Sequence, residues 1–294
     1  MYNAFTRTLL ALTLSMVSAP LWAQESRTTR DTSNVTHIQE IRNATIKVSY
    51  ADVTFLIDPM FAAKGFYEGF ASTYRPHLRN PLVDLPLKID TILEGVDAVI
   101  VTHTHLDHWD DAAQQHIPKH LPIFVQNQHD QQTIQAQGFK DVRILEQTLF
   151  EGIKLTKTGG QHGTDAMYRV PALKTNLGET MGVVFEAQGH ETVYVAGDTI
   201  WRPEVEQTIQ TFKPDVIVLN TGKALIDGFK ESIIMGQEDT YMATRKAPNA
   251  KIVAVHMDAI NHMSLTRDQL QRYVKQKGIQ NKVFIPLDGE TLSF

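Results

Sequence analysis

The stretch 101-VTHTHLDHWDD-111 places three histidines and an aspartate within six positions, directly after an apolar run. Side chains alternate along an extended segment, so His103, His105 and Asp107 are predicted to project to one side of the chain as it leaves a strand. His108 points the other way and joins the other three only if the backbone turns there. The stretch therefore predicts a cluster of metal-binding side chains at the end of a strand.

The residues that follow predict the required turn. The segment 109-WDDAAQQH-116 has the pattern of a helix with acidic residues in its first turn, where negative charge is favoured. His103 and His105 then lie before a strand-to-helix corner, and Asp107 and His108 lie at it. This arrangement suits two adjacent metal ions better than one.

Two metal ions need more than four ligands, and later strand ends supply candidates. His162 lies in a glycine-rich turn, Asp198 follows a strand in the tetrapeptide AGDT, and His256 ends an apolar run. Side chains at the ends of different strands can converge on one edge of a sheet. Taken singly, Asp198 can be a turn or helix cap and His162 a hydrogen-bonded loop histidine. As a set, they fill the missing ligand positions.

Composition limits the kind of site and the class of protein. The 294 residues are 42% hydrophobic, which is enough for a full core, and they include no cysteine. Strong metal ligands must therefore be histidine or carboxylate. The net charge of −5 gives no basic footprint, so we expect no nucleic-acid partner. The expected partner is a small-molecule substrate. The sequence does not indicate an oligomeric state.

The N-terminus 1-MYNAFTRTLLALTLSMVSAPLWAQES-26 has the pattern of a secretory signal. A short basic region precedes an apolar run and a small residue at Ala23, where a signal peptidase could cut. A membrane anchor is the alternative, but about 15 apolar residues are too few to span a bilayer comfortably. We predict a cleaved signal peptide over 1–23, a linker over 24–35 and a single domain over 36–294. The expectation is export, to the periplasm if the source is Gram-negative, with no stable membrane insertion after cleavage.

The rest of the chain alternates strand and helix patterns, which predicts an α/β layered protein with mixed sheets. The predicted strands cover 44–50, 53–57, 97–101, 122–125, 152–158, 181–187, 191–197, 215–219, 251–255 and 282–286. The predicted helices lie near 109–117, 128–137, 203–213, 238–246 and 266–277. The segment 60–86 has no clear period, so it is predicted to be a loop on the substrate side of the site.

The ordered set of motifs resembles the metallo-β-lactamase superfamily of metal hydrolases. H-T-H-L-D-H, an isolated histidine after a glycine-rich turn, G-D-T and a strand-terminal histidine occur in the superfamily order, and 55-FLIDPMF-61 is similar to its first motif. Within the superfamily, 256-HMDAINHMSLTRDQL-270 looks most like the ascorbate-6-phosphate lactonase-like (Lactamase_B_2-type) branch. The resemblance implies a four-layer αββα sandwich of two mixed β-sheets.

The resemblance also implies roles for individual residues. His103, His105 and His162 would hold one metal, Asp107, His108 and His256 the other, and Asp198 would bridge them. Asp58 would orient ligand side chains. His262 competes with His256 for the last ligand position; it can instead line the pocket, donate a proton or be a surface histidine at a helix entry.

Such a site predicts hydrolysis. Two divalent cations that share a water lower its pKa and polarise the substrate oxygen, and Asp107 can take the proton of the water. Zn²⁺ is the expected metal, with Mn²⁺ or Fe²⁺ as alternatives. We expect cleavage of an ester, lactone or phosphoester, and a lipid or nucleotide-type phosphodiester is an alternative substrate. A non-hydrolytic redox or ligand-capture protein is the alternative of another class.

The predicted substrate pocket rests on residues near the ligand motifs. These residues follow two strand ends or lie in the 60–86 loop, and they are Trp201, Arg202, Asn220, Lys223, Tyr67 and Arg75. Cationic side chains there would favour an anionic substrate, whereas a surface position is the alternative for each. Phe66, Phe70 and Tyr74 would add an apolar wall.

Overall fold

Two seven-stranded β-sheets form the framework of the protein, in a computed structural model that describes Met1 and residues 34–294. The strands of the described residues are β1 (His37–Arg42), β2 (Thr45–Tyr50), β3 (Val53–Ile57), β4 (Ala98–Val101), β5 (Ile123–Val125), β6 (Val142–Ile144), β7 (Gln147–Phe150), β8 (Ile153–Thr158), β9 (Gly182–Glu186), β10 (Val193–Val195), β11 (Val216–Asn220), β12 (Lys251–Val255), β13 (Val283–Phe284) and β14 (Thr291–Ser293). The helices are α1 (Ile89–Leu93), α2 (Asp111–His116), α3 (Gln128–Ala136), α4 (Asp165–Tyr168), α5 (Pro171–Leu177), α6 (Pro203–Phe212), α7 (Gln237–Lys246) and α8 (Arg267–Lys277).

Both sheets mix antiparallel and parallel pairing. The first has the order β14-β1-β2-β3-β4-β5-β6, antiparallel as far as β3 and parallel from β3 to β6. The second has the order β13-β12-β11-β10-β9-β8-β7, parallel from β13 to β10 and antiparallel from β10 to β7. The parallel strands end at the same edge of their sheet, which is where ligand residues can meet.

The apolar side chains of the described residues form four clusters, of which one lies beside the pocket and three follow the layers of the fold. One cluster lies between the sheets and includes Phe55 and Ile100 of the first sheet and Phe185 of the second. A second cluster covers the outer face of the second sheet with α6, α7 and α8, and a third covers the outer face of the first sheet with α1, α2 and α3. Strand β4 is buried on both faces, which explains its unbroken apolar sequence. The predicted four-layer αββα sandwich is confirmed.

Several short elements escaped the sequence patterns. Strand β1 is the clearest case, because its sequence HIQEIR reads as polar although Glu40 and Arg42 are fully buried. Arg42 donates from Nη2 to the carbonyl oxygens of Met60 (2.9 Å) and Ala62 (3.0 Å), and these bonds permit its burial. The edge strands β6 and β7 have only 3 and 4 residues, too few for a period to show.

The N-terminal predictions lie largely outside the described residues. The signal peptide over 1–23 and most of the linker over 24–35 fall there, so both stay predictions, as does the domain boundary at residue 36. In residues 34–294, no helix has the length and apolar character needed to cross a bilayer.

Candidate metal centre

The His-rich stretch turns as its sequence predicts. After β4 the backbone amides of His108 and Trp109 both donate to the carbonyl oxygen of His105, at 2.9 and 2.8 Å, which closes the turn. Asp110 caps α2 by accepting the amide of Ala113 at 2.7 Å. The corner brings His108 back to the side of the other ligand candidates.

One group of donor atoms comes from His103, His105 and His162, whose ligand nitrogens lie within 4.8 Å of one another. Backbone contacts fix which nitrogen is free in two of the rings: His105 Nε2–H donates to the carbonyl of Asn176 (2.8 Å), and His162 Nδ1–H donates to the carbonyl of Ile233 (2.9 Å). His105 Nδ1 and His162 Nε2 are therefore available as ligand atoms.

The orientation of His103 follows from a relay to Asp58. The hydroxyl of Thr102 donates to Asp58 Oδ2 at 2.7 Å, so its oxygen accepts a hydrogen bond from His103 Nδ1–H at 3.1 Å. His103 Nε2 then has a free lone pair, 3.0 Å from His105 Nδ1. Two free lone pairs at this distance repel, and a shared cation would remove the repulsion.

A second group comprises Asp107, His108 and His256, again within 4.8 Å. His108 Nδ1 donates to Asp58 Oδ2 at 2.8 Å, which leaves Nε2 for the site. Both ring nitrogens of His256 are buried without a hydrogen-bond partner among the described residues. A buried, unpaired imidazole is costly, and ligation of a cation by Nε2 would offset that cost. Nε2 of His256 lies 3.7 Å from Asp107 Oδ2.

Asp198 lies between the two groups. Its Oδ2 is 3.1 Å from His108 Nε2, 3.5 Å from His162 Nε2 and 3.5 Å from His256 Nε2. Its Oδ1 accepts a hydrogen bond from Asn220 Nδ2 at 2.7 Å. One carboxylate oxygen thus faces both groups, which is the position that the bridging assignment requires.

The charges of the site favour a cation. Burial by itself raises the pKa of Asp198, but the His108 and His256 rings outweigh it and hold that pKa well below its usual value. Burial, together with the neighbouring His108, lowers the pKa of His103 well below its usual value, so its ring is neutral. Burial by itself lowers the pKa of His108, but the carboxylates of Asp198, Asp58 and Asp107 outweigh it and raise that pKa well above its usual value, so a bound cation would replace the proton of this ring. Ionised carboxylates and neutral imidazoles are the forms that bind Zn²⁺, Mn²⁺ or Fe²⁺. The seven side chains therefore fit a pair of divalent cations.

Two residues support the ligands from outside. Asp58 accepts the amide of Thr102 at 2.7 Å as well as the Thr102 hydroxyl and His108, so its carboxylate fixes two ligand-bearing positions. Asn43 was missed by the sequence patterns. Its carbonyl accepts the amide of His256 (2.7 Å), and its Nδ2 donates to the carbonyl of Asp107 (2.8 Å). Nothing local in the β1–β2 turn signals this role.

A pocket of about 390 Å³ opens onto the cluster. It is lined by Phe70, Ala71, Ser72, Thr73, His105, Leu106, Asp107, His162, Leu173, Asn176, Leu177, Ile226, Asp227, Ile233 and His262. Among these residues of the described chain there is no lysine or arginine. His262 is buried in the wall with its ring 5.1 Å from that of Phe70, and burial lowers its pKa to about 4.

The structure places the predicted pocket residues elsewhere. Of the two from the 60–86 loop, Tyr67 accepts the amide of Asp111 at 3.2 Å, and Arg75 donates to the carbonyl oxygen of Met263 at 2.7 Å. Neither lines the pocket. Phe70 is the predicted wall residue that does, whereas Phe66 and Tyr74 are exposed.

The four predicted residues after strand ends have other partners. Asn220 holds Asp198, Trp201 Nε1 donates to Glu206 at 2.9 Å, and Arg202 pairs with Asp165 at 2.8 Å. Lys223 lines a separate, open groove with Arg272. The cationic side chains expected beside the metals are therefore turned away from this pocket.

The sandwich fold and the two convergent ligand groups indicate a metal-dependent enzyme, and comparison with known proteins identifies its class. A family model for the beta-lactamase superfamily domain (Lactamase_B_2) matches residues 54–257, so the chain belongs to this superfamily. The UPF0173 protein YddR of Bacillus subtilis is 49% identical over 261 residues, which is 88% of this chain and 100% of YddR.

Two solved structures are similar over nearly their whole length. A possible metal-dependent hydrolase from Veillonella parvula is 50% identical with a TM-score of 0.87, and the match covers 88% of this chain and 99% of that one. An isothiocyanate hydrolase from Delia radicum gut bacteria is 46% identical with a TM-score of 0.85, at the same coverage of 88% and 99%. The chain is thus a member of a metal-dependent hydrolase family.

Proposed function

We propose that the protein is a binuclear metal-dependent hydrolase whose substrates are small, uncharged and largely apolar electrophiles, with organic isothiocyanates as the leading class. The observation that carries the proposal is the pocket itself. Its walls are mainly Phe70, Leu106, Leu173, Leu177 and Ile233, and it ends at ligand candidates. The similar hydrolase from Delia radicum gut bacteria, named for isothiocyanates, supports this substrate class.

The charge of the pocket argues against the phosphoesters expected from sequence. The carboxylate lining it away from the cluster is Asp227, and no cation among the described lining residues offsets it. A phosphate monoester or phosphodiester would meet the negative charge of Asp227 on the exposed part of the lining, and no lysine or arginine of the lining would bind its phosphate group. A neutral R–N=C=S group avoids that cost, and its organic part contacts the apolar walls.

The reaction balances with water alone. Water adds its oxygen to the central carbon of R–N=C=S and its protons go to nitrogen, so that cleavage of the C–N bond gives R–NH₂ and carbonyl sulfide. When bound, the divalent cations lower the pKa of water and polarise the acceptor group.

The side chains of the protein supply positioning and proton transfer. Asp107 lines the pocket and also belongs to the second ligand group, so it can accept a proton from the attacking water. His262 is neutral at pH 7 and can hydrogen-bond the heteroatom of the substrate. The apolar wall excludes bulk water from the reacting carbon.

Metal analysis and a substrate panel test the proposal. We expect about two divalent ions per chain and turnover of benzyl isothiocyanate with release of benzylamine, ahead of p-nitrophenyl acetate, a γ-lactone and bis(p-nitrophenyl) phosphate. Restoring Zn²⁺, Mn²⁺ or Fe²⁺ to chelator-treated protein identifies the working metal. Fewer than one ion per chain, or fastest turnover of the phosphodiester, would refute the proposal.

Asp227 provides a matched test of substrate charge. For Asp227→Asn, we expect kcat/KM for a carboxylate-bearing isothiocyanate to rise about fivefold, because a like charge is removed from the pocket. The value for the uncharged benzyl compound should not change. An equal change for both compounds would show that the carboxylate does not select by charge.

Export is proposed separately, on the signal pattern over 1–23. Expression of the full chain in a Gram-negative host should give a periplasmic protein whose N-terminus begins after Ala23. An uncleaved chain in the cytoplasmic fraction would overturn this part.

A further inference from the structure

The wall of the pocket nearest His262 comes from the 60–86 segment, which has no helix or regular strand to hold it. Four consecutive residues, 70–73, line the pocket. Isolated bridges join Tyr67 to Asn80 and Thr73 to Ile226. An irregular segment keeps a defined wall only if side chains fix its backbone, so the residues that do so control the shape of the pocket.

Asn261 makes four side-chain hydrogen bonds to this segment. Its side chain is fully buried, and its Oδ1 accepts from the amide of Phe70 (3.0 Å) and from Asn80 Nδ2 (2.8 Å). Its Nδ2 donates to Thr73 Oγ1 (2.9 Å) and to the carbonyl of Tyr74 (2.9 Å). Both ends of the 70–73 wall are therefore bound to one amide group.

The backbone of Asn261 is held equally firmly. Its amide donates to Asn80 Oδ1 at 2.8 Å, and its carbonyl accepts from Arg75 Nε at 3.1 Å. The next residue is His262, whose ring contacts that of Phe70, and His256 lies five positions earlier. The wall and the ligand-bearing segment are thus joined through Asn261.

We infer that Asn261 is a positioning residue that sets the preference of the enzyme for bulky substrates by holding the 70–73 wall against His262. The inference rests on the proposed function for its substrate, but the clamp itself does not depend on turnover. A bulky organic group needs the wall in place, whereas a methyl group does not reach it. Loss of the clamp should therefore act mainly on KM for bulky substrates.

The test compares Asn261→Leu, which keeps the branched shape of the side chain and removes four side-chain hydrogen bonds, with Asn261→Asp, which keeps the two acceptor bonds. For metal-loaded Asn261→Leu we expect KM for benzyl isothiocyanate to rise about tenfold and KM for methyl isothiocyanate less than about twofold. Metal content should be unchanged, and Asn261→Asp should fall between wild type and Asn261→Leu.

Hydrogen exchange supplies a readout without substrate. Amides of the 66–80 segment should exchange faster in Asn261→Leu than in wild type, and no faster in Val274→Ala, a core truncation in α8 that destabilises without touching the pocket. If Asn261→Leu does not fold, Thr73→Val removes one partner of the same clamp and takes its place.

Each outcome bears on the inference. Unchanged exchange at 66–80 overturns the clamp. Faster exchange with equal KM changes for both substrates overturns its role in specificity. Faster exchange with no isothiocyanate turnover by wild type supports the clamp while refuting the proposed function, so the two failures are distinguishable.

Discussion

The metal centre and the substrate pocket adjoin each other but are built in different ways. The metal centre uses side chains at the ends of regular strands: His103 follows β4, Asp198 follows β10 and His256 follows β12. The pocket uses part of helix α5 together with irregular segments, among them residues 70–73 and the loop that carries Ile226, Asp227 and Ile233. The sheets place the first set, whereas hydrogen bonds between distant loops hold the irregular part of the second. The comparison therefore separates ligand positions set by the sheets from a pocket wall set in part by loops.

The largest effect is expected from the loss of His108, whose ring contacts two carboxylates of the metal centre. His108→Ala removes contacts to Asp58 and Asp198, and we expect it to lower kcat/KM by about 1,000-fold, since metal stabilisation of developing charge is worth several kcal/mol. Metal analysis should show the loss of about one ion per chain. His120→Ala, an exposed histidine, is the control and should keep full metal content. Undiminished turnover would refute the binuclear assignment.

A smaller effect is expected at Asp58, which hydrogen-bonds the ligand candidates and their neighbours. Asp58→Asn keeps the shape of the side chain but replaces one carboxylate oxygen by an NH₂ group. An NH₂ group at the position of Oδ2 cannot accept the hydrogen bonds of the Thr102 hydroxyl and His108 Nδ1. Metal affinity, measured by competition with a chelator, should fall by about 10- to 100-fold. Asp90→Asn, on the exposed surface of α1, is the matched control. Equal affinity in the two variants would show that Asp58 does not orient the ligands.

A buried carboxylate outside both regions sharpens the comparison. The histidines around Asp198 lower its pKa, whereas burial raises the pKa of Glu40 well above 4.5 despite the opposing charge of Arg267. The folded state therefore binds the Glu40 proton more tightly than the unfolded chain. The stability that this tighter proton binding contributes is present below pH 4.5, and it is lost as the pH rises through the pKa of Glu40 in the folded state.

Chemical denaturation between pH 4 and pH 8 measures this contribution. The free energy of unfolding of wild type should fall with rising pH, relative to Glu40→Gln, by at least about 1 kcal/mol. The glutamine variant has no proton to lose at this position, so its curve isolates the effect. Parallel curves for the two proteins would show that Glu40 ionises normally and is held by Arg267.

The smallest effect is expected at a residue that the sequence placed beside the metals. Arg202 pairs with Asp165 and Glu204 near the surface, and exposed ion pairs contribute little. For Arg202→Gln we expect kcat/KM to change by less than about twofold with neutral or anionic substrates. A loss confined to anionic substrates would return Arg202 to the pocket and weaken the contrast between framework and loops.

The strand-end rule explains which of the predicted residues the structure brings together. His103, His162 and Asp198 follow apolar runs, and the edge of a sheet brings such positions together whatever the intervening sequence is. Trp201 and Lys223 also come soon after strand ends, but they do not line the pocket beside the cluster. Proximity in sequence to a ligand does not fix the direction of a side chain once the backbone enters a loop.

By itself, the sequence determined the layered α/β class, the ligand residue types and their order along the chain. These depend on local periodicity and on which side chains can bind a metal. Only the tertiary structure decided that Asn43 contacts the backbone of His256, that Asn261 is bonded to Phe70 in the pocket wall and that the lining of the described pocket has no lysine or arginine. Each of these depends on hydrogen bonds or orientations between segments far apart in the chain, for which no local pattern exists.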